Sequence, residues 1–168
     1  DRPITDLDFT TNANPEQIIS LVEPWADNVW DVGIAFGTVG VRKKNFQAEI
    51  TTYRSEVYRH ESRKPEVKFG TTLEEDLVRR DFTINAMAVR LPEFIFVDPF
   101  GGVEDLSKKL IRTPRAPELS FSDDPLRMMR AARFTSQLGF TPVVDVLLAI
   151  TQMADRITIV SAERIRDE

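Results

Sequence analysis

The hydrophobic period of this chain changes along its length, and that change restricts the available folds more than any other feature. "PITDLDFTT", residues 3–11, alternates as a half-buried strand does, with Ile4, Leu7 and Phe9 set among polar residues. "NPEQIISLVEPWA" then carries a helix start: Asn14 as the cap, Pro15 at the first helical position and Gln17 completing a capping box. "WDVGIAFGTVGV" and "FQAEITTYR", divided by the polar turn "RKKN", read as strands. Residues 55–71 are charged, non-periodic and contain a proline, so they are expected to form a long loop. Thr72 and Glu75 open a predicted helix through "LEEDLVRRDFTINAMAVR". A short strand in "EFIFVDPFGG" and a brief amphipathic piece in "VEDLSKKLIRT" follow. The proline-bearing "TPRAPELSFSDDP" precedes a strongly helical part from Asp124 onward. This order predicts an α+β chain: a small mixed sheet with helices, then an all-helical region.

Composition narrows the function classes. With 168 residues, 42% hydrophobic and 29% charged, the chain is globular rather than disordered. Its apolar runs are far shorter than a membrane span, and it has no cysteine, which removes thiolate nucleophiles, thiolate metal sites and disulfides and fits a cytoplasmic setting. The formal charge of −5 requires any nucleic-acid contact to use a local basic face. Both ends read as interior sequence, so the chain is expected to be part of a larger protein.

Asp6 and Asp8 flank one leucine on the first predicted strand. Residues two apart share a strand face, so both carboxylates project together while Leu7 turns to the core. Two acids so close repel unless a cation or a shared proton relieves them. Oxygen donors on a rigid strand suit Mg²⁺, although two solvated aspartates at a strand edge satisfy the same pattern. Glu49, on the polar face of "FQAEITTYR" with Gln47 and Thr51, would complete a three-carboxylate platform for two-metal phosphoryl or nucleotidyl transfer.

Two further constellations stand out. Asp81 and Asn85, four apart on the predicted helix, stack on one face with acceptors and an amide donor for sugar hydroxyls and phosphate oxygens. Arg79 and Arg80 beside them would neutralise a polyphosphate; a solvated face with an Arg–Asp pair is the alternative. Asp123 and Asp124 stand at a predicted helix start before Pro125, where capping alone accounts for them. Arg127 follows by four and three residues, a spacing that would lock the rotamers into a donor–acceptor strip matching a base edge. Arg130 and Arg133 extend a basic stripe suited to phosphate. His60 reads as a solvated loop residue, Trp25 and Trp30 as core, and "FGTVG" lacks the spacing of a phosphate-binding loop.

Together "TDLDFTTNANPEQI", "LVRRDFTINAMA", "FVDPFGGVEDL" and "DDPLRMMRAARFTSQLGF" resemble the class II tRNA nucleotidyltransferases, or CCA-adding enzymes, and the related bacterial poly(A) polymerases. The resemblance is collinear over nearly the whole chain, and the wording around "FGTVGVRKKNFQAEITTYRSE" is closer to the CCA-adding enzymes. It implies a polymerase-β-like nucleotidyltransferase head over residues 1–117, truncated at its start, and the beginning of a helical neck over 118–168. Asp6 and Asp8 would hold two Mg²⁺ ions, with Glu49 as a third catalytic acid. Arg80, Asp81 and Asn85 match the ribose and triphosphate motif. Asp123, Asp124 and Arg127 match the protein template that pairs with cytosine or adenine; Arg130, from the basic stripe, is a further candidate for nucleotide binding. Many members have glutamate at the first template position, one methylene longer than Asp123. The family's glycine-glycine segment before the carboxylates is missing.

The implied activity is template-independent addition of C, C and A to the tRNA 3′ end from CTP and ATP, with release of pyrophosphate. A poly(A) polymerase, a specialised CC- or A-adding enzyme, and a non-catalytic RNA-binding remnant are the alternatives. The main tRNA-binding domains are expected outside these residues, which would leave the chain poorly active alone.

Overall fold

A computed structural model describes residues 7–33, 36–57 and 66–168, in two compact units, Asp1–Asp76 and Leu77–Glu168. Asp6 and His60 lie outside the described residues.

In the first unit, strands β1 (Asp8–Thr11), β2 (Asn28–Gly33), β3 (Thr38–Lys43) and β4 (Phe46–Thr52) form a mixed sheet in the order β1-β4-β3-β2. β1 runs parallel to β4, while β3 is antiparallel to both β4 and β2. The β3–β4 turn passes through Lys44 at φ 52°. Helix α1 (Pro15–Val22) starts as the sequence predicts: Asn14 Oδ1 accepts from Gln17 N and Gln17 Oε1 from Asn14 N, both at 2.9 Å. Its Ile18 packs on Val39, Val41 and Ala48 of the sheet, with Phe9, Val29 and Ile50 around them. Each fully buried aliphatic side chain here is worth about 1.5–3 kcal/mol. This cluster commits one sheet face to the helix and leaves the other to polar residues.

Three expectations change in this unit. Leu7 is 37% exposed, because β1 begins only at Asp8 and Phe9 supplies the packing. Trp25 is half exposed and meets Phe46 edge-on at 6.1 Å rather than entering the core. The expected loop over 55–71 contains a two-stranded ladder, β5 (Arg54–Val57) with β6 (Glu66–Phe69), because antiparallel pairing satisfies this charged backbone without a hydrophobic period.

The predicted helix over 72–90 is a single short one, α2 (Leu73–Val78). Its capping box forms between Thr72 and Glu75 as expected. Beyond it a 3₁₀ turn spans Thr83–Asn85, and β7 (Ala88–Arg90) pairs with β8 (Ile95–Val97). The helical pattern fails because Asp81 bonds the backbone N–H of Phe82, and Thr83 N donates to Arg112 O instead of continuing the helix. Helix α3 (Gly102–Lys108), the β9 (Leu110–Ile111) and β10 (Thr141–Pro142) pair, and helices α4 (Pro117–Asp123), α5 (Leu126–Leu138), α6 (Val144–Met153) and α7 (Ala162–Asp167) complete the second unit. Helix α5 stops at Gly139 with φ 68°, the left-handed C-cap that glycine accepts without strain. One core cluster joins Phe82, Ile111 and Ala131; a second joins Phe121, Met128, Val146 and Ala149. No helix among the described residues is long and apolar enough to cross a membrane.

Candidate nucleotidyltransfer site

The register of the first sheet sets its polar face. Asp8 lies opposite Glu49, Glu49 opposite Gly40, and Gly40 opposite Trp30, so one row crosses all four strands. Partners in register project to the same side, with strands about 4.8 Å apart. Asp8 and Glu49 are both exposed, and no hydrogen bond or ion pair engages either carboxylate among the described residues. The next row holds Thr10, Thr51 and Thr38, with the hydroxyls of Thr38 and Thr51 3.0 Å apart. Arg54 Nη2 reaches Thr38 Oγ1 at 3.4 Å. The pairing of Glu49 with the first acidic strand is therefore as the sequence suggests. No group of three potential metal-binding side chains occurs among the described residues, to which Asp6 does not belong.

Trp30 departs from expectation. Its indole lies against Gly40, where an added Cβ would stand 2.0 Å from Cε2 and 2.1 Å from Nε1 of the ring. The ring thus sits on the face of the acids and occupies the space that any side chain at position 40 would need. Alternation within one strand does not reveal this; the signal is a glycine facing a tryptophan across two strands, which needs the register.

In the second unit Asp81 and Asn85 do meet, but across a turn instead of along a helix. Asn85 Nδ2 donates to Asp81 Oδ1 at 3.1 Å, and Phe82 N donates to the same oxygen at 2.7 Å. Arg130 of α5 pairs with Asp81 Oδ2 at 3.0 Å and lies 5.8 Å from the Phe134 ring centroid. Asp81 is buried and holds three donors, so most of its acceptor capacity is spent inside the protein. Asn85 is exposed, and Asp81 orients its amide. The basic stripe on α5 is largely neutralised: Arg130 faces Asp81, and Arg133 faces Glu168 while lying 5.0 Å from the Phe134 ring centroid.

Asp123 ends α4 and Asp124 stands between α4 and α5, so neither starts a helix as the sequence suggested. Asp123 pairs with Arg115, and Asp124 with Arg164 at 2.8 Å. Asp124 Oδ1 also accepts from Leu126 N at 3.2 Å, so a capping role toward α5 survives. Arg127 is buried; its Nη1 donates to Ser120 Oγ at 2.9 Å and its Nη2 to the carbonyl of Arg79. Arg115 and Ser120 carry no motif of their own, and Arg79, expected to act through its side chain, meets Arg127 through its carbonyl.

The chain matches the family model "Poly A polymerase head domain" over residues 1–112 and "Probable RNA and SrmB- binding site of polymerase A" over residues 139–168. A CCA-adding enzyme from Geobacillus thermodenitrificans is 43% identical over 168 residues, covering 99% of this chain and 40% of that protein. The crystal structure of the Bacillus stearothermophilus CCA-adding enzyme in complex with CTP superposes with a TM-score of 0.83 at 41% identity, covering 97% of this chain and 38% of that one. A tRNA nucleotidyltransferase complexed with a primer tRNA and an incoming ATP analog gives a TM-score of 0.71 at 33% identity, covering 92% and 42%. The chain spans about two fifths of the length of the curated relatives it matches. By the family model that covers two thirds of its residues, the chain belongs to the poly(A) polymerase head-domain family.

Proposed function

We propose that this chain carries the catalytic machinery of a CCA-adding tRNA nucleotidyltransferase, which adds C, C and A to a tRNA 3′ end from CTP and ATP. The observation that carries this reading is the Asp8–Glu49 pair, held side by side on an exposed sheet face and unengaged among the described residues. The relatives named as CCA-adding enzymes favour this product over a poly(A) tail. In the reaction the RNA 3′-oxygen bonds to the α-phosphorus as the bond from that phosphorus to the bridging oxygen breaks, releasing pyrophosphate.

Asp8 and Glu49, with Asp6, would hold Mg²⁺. The donor set is oxygen only, both described carboxylates are open to solvent, and two adjacent negative charges favour a cation between them. When bound, the metal supplies activation of the attacking hydroxyl and neutralises the triphosphate. The chain's own part is alignment. Asp81 holds Asn85 and Arg130, leaving the exposed Asn85 amide for ribose hydroxyls, with Arg80 toward phosphate. Asp123, Asp124 and Arg127 would read the base. Ser120 and the Arg79 carbonyl fix the guanidinium of Arg127, so its position need not be organised at binding. We assign the head to 1–117 and the start of the neck to 118–168.

The test is incubation with tRNA lacking its CCA end, Mg²⁺, and CTP or ATP singly and together, with products sized by electrophoresis. Addition of two residues from CTP and one more on adding ATP supports the reading. A ladder of many adenylates identifies a poly(A) polymerase. No incorporation, with nucleotide binding also absent, leaves the chain without the proposed chemistry.

A further inference from the structure

The tryptophan on the acid face has no role in the alignment scheme above, and its placement is unusual. Asp8, Glu49 and Gly40 share its row, and the rows on either side hold Thr10, Thr51 and Thr38 on one flank and Gln47, Arg42 and Asn28 on the other, so every other described side chain there is polar. A half-buried indole in that company does not add to the α1 core, which lies on the opposite face. The backbone of Gly40 is what admits it: with no Cβ, strand β3 lets the ring lie against the sheet in the row that continues to Glu49 and Asp8. The row therefore runs aromatic surface, bare backbone, carboxylate, carboxylate. An RNA 3′-hydroxyl brought to the acids places its own terminal nucleotide beside them. Aromatic faces hold such nucleotides by stacking, whatever the base, because every base presents a π-face.

We propose that Trp30 is a stacking surface for the 3′-terminal nucleotide of the acceptor RNA, orienting its hydroxyl toward the Asp8–Glu49 row. This rests on the nucleotidyltransferase reading for its substrate, while the position of the ring does not. Sequence tolerance is part of the proposal: the acceptor end changes as each residue is added, and a flat apolar surface accepts each in turn where a hydrogen-bonding pocket would not.

The experiment has two arms. In the first, incorporation of a single nucleotide is measured for wild type, Trp30→Phe and Trp30→Leu, with circular dichroism confirming the fold of each. Leucine still fills space above Gly40 but has no π-face; phenylalanine keeps one. The expected result is a KM for acceptor RNA raised roughly five- to hundredfold in Trp30→Leu, a much smaller rise in Trp30→Phe, and an unchanged KM for CTP. Equal acceptor KM in wild type and the leucine variant overturns the proposal, and so does a rise confined to CTP, which would put the ring at the incoming nucleotide. In the second arm, a Trp25→Phe chain leaves Trp30 as the sole indole, and its fluorescence is titrated with a single-stranded RNA ending in cytidine, without nucleotide. Saturable quenching supports stacking, and its absence refutes it. Quenching without incorporation by wild type would instead remove the enzymatic reading and leave Trp30 as an RNA contact.

Discussion

Replacing Asp81 with alanine tests whether the residue is a structural clasp as well as part of a nucleotide site. The carboxylate is 8% exposed and accepts from Phe82 N, from Asn85 Nδ2 and from Arg130. Removing it orphans the N–H of Phe82, itself fully buried, at a cost of about 1–3 kcal/mol. It also strips Arg130 of its counter-charge. Breaking a fully buried pair costs about 3–5 kcal/mol, but the Arg130 side chain is 36% exposed and can rehydrate, so about 1 kcal/mol is the appropriate share. The total is about 2–4 kcal/mol. With a urea m-value of about 2 kcal/mol/M, the unfolding midpoint should fall by about 1–2 M. Asn85→Ala is the control: Asn85 is exposed and donates one of the three bonds, so its loss should cost below about 1 kcal/mol. Both variants should weaken nucleotide binding, because Asp81→Ala frees the Asn85 amide from its anchor and Asn85→Ala removes it. A wild-type urea midpoint in Asp81→Ala would refute the argument, as would Asn85→Ala proving the more destabilising of the two.

Three other outcomes follow from the same geometry. Asp8→Ala and Glu49→Gln should each abolish nucleotide incorporation while shifting stability by only about 0.5 kcal/mol, since both side chains are exposed and unengaged among the described residues; thermal melts and single-nucleotide extension check this together. Gly40→Ala should destabilise by about 1–3 kcal/mol through collision with the indole, and Trp30→Ala in the same chain should recover most of that loss, a coupling readable in a double-mutant cycle. Backbone N–H groups of Thr71 and Thr72 hold the Glu75 carboxyl below its ordinary value of 4.5. A depressed folded-state value makes this contribution complete above about pH 4.5 and progressively lost as pH falls through the lower folded value. Glu75→Gln should therefore lie below wild type in the neutral region and converge on it at low pH, which flattens the acid limb of a stability-against-pH profile.

Much of the architecture was legible from local chemistry. The Asn14–Gln17 and Thr72–Glu75 capping boxes, the turn after Lys43, and the division of "FQAEITTYR" into a core face and a polar face are all short-range matters. Residues a few positions apart settle them before the rest of the chain folds. The same short-range reasoning failed between Asp81 and Arg90, where a good helical pattern was overridden. Asp81 captured a backbone N–H at 2.7 Å, and Thr83 N bonded the carbonyl of Arg112, 29 positions away.

The candidate site divides along the same line. Residue order settles which groups are present and where they recur: Asp8 on a strand, Glu49 on the polar side of another, Asn85 four residues after Asp81, and Arg127 beyond two acids. What each of them touches is set by the folded chain. Strand register brought Glu49 to Asp8 and laid Trp30 over Gly40; packing of α5 gave Arg130 to Asp81, and the end of α4 gave Ser120 to Arg127. The physical reason is reach. Periodicity and capping act over one turn or one strand pair, whereas a buried guanidinium or carboxylate takes whichever partner the assembled core leaves within about 3 Å, and packing between separate elements makes that choice.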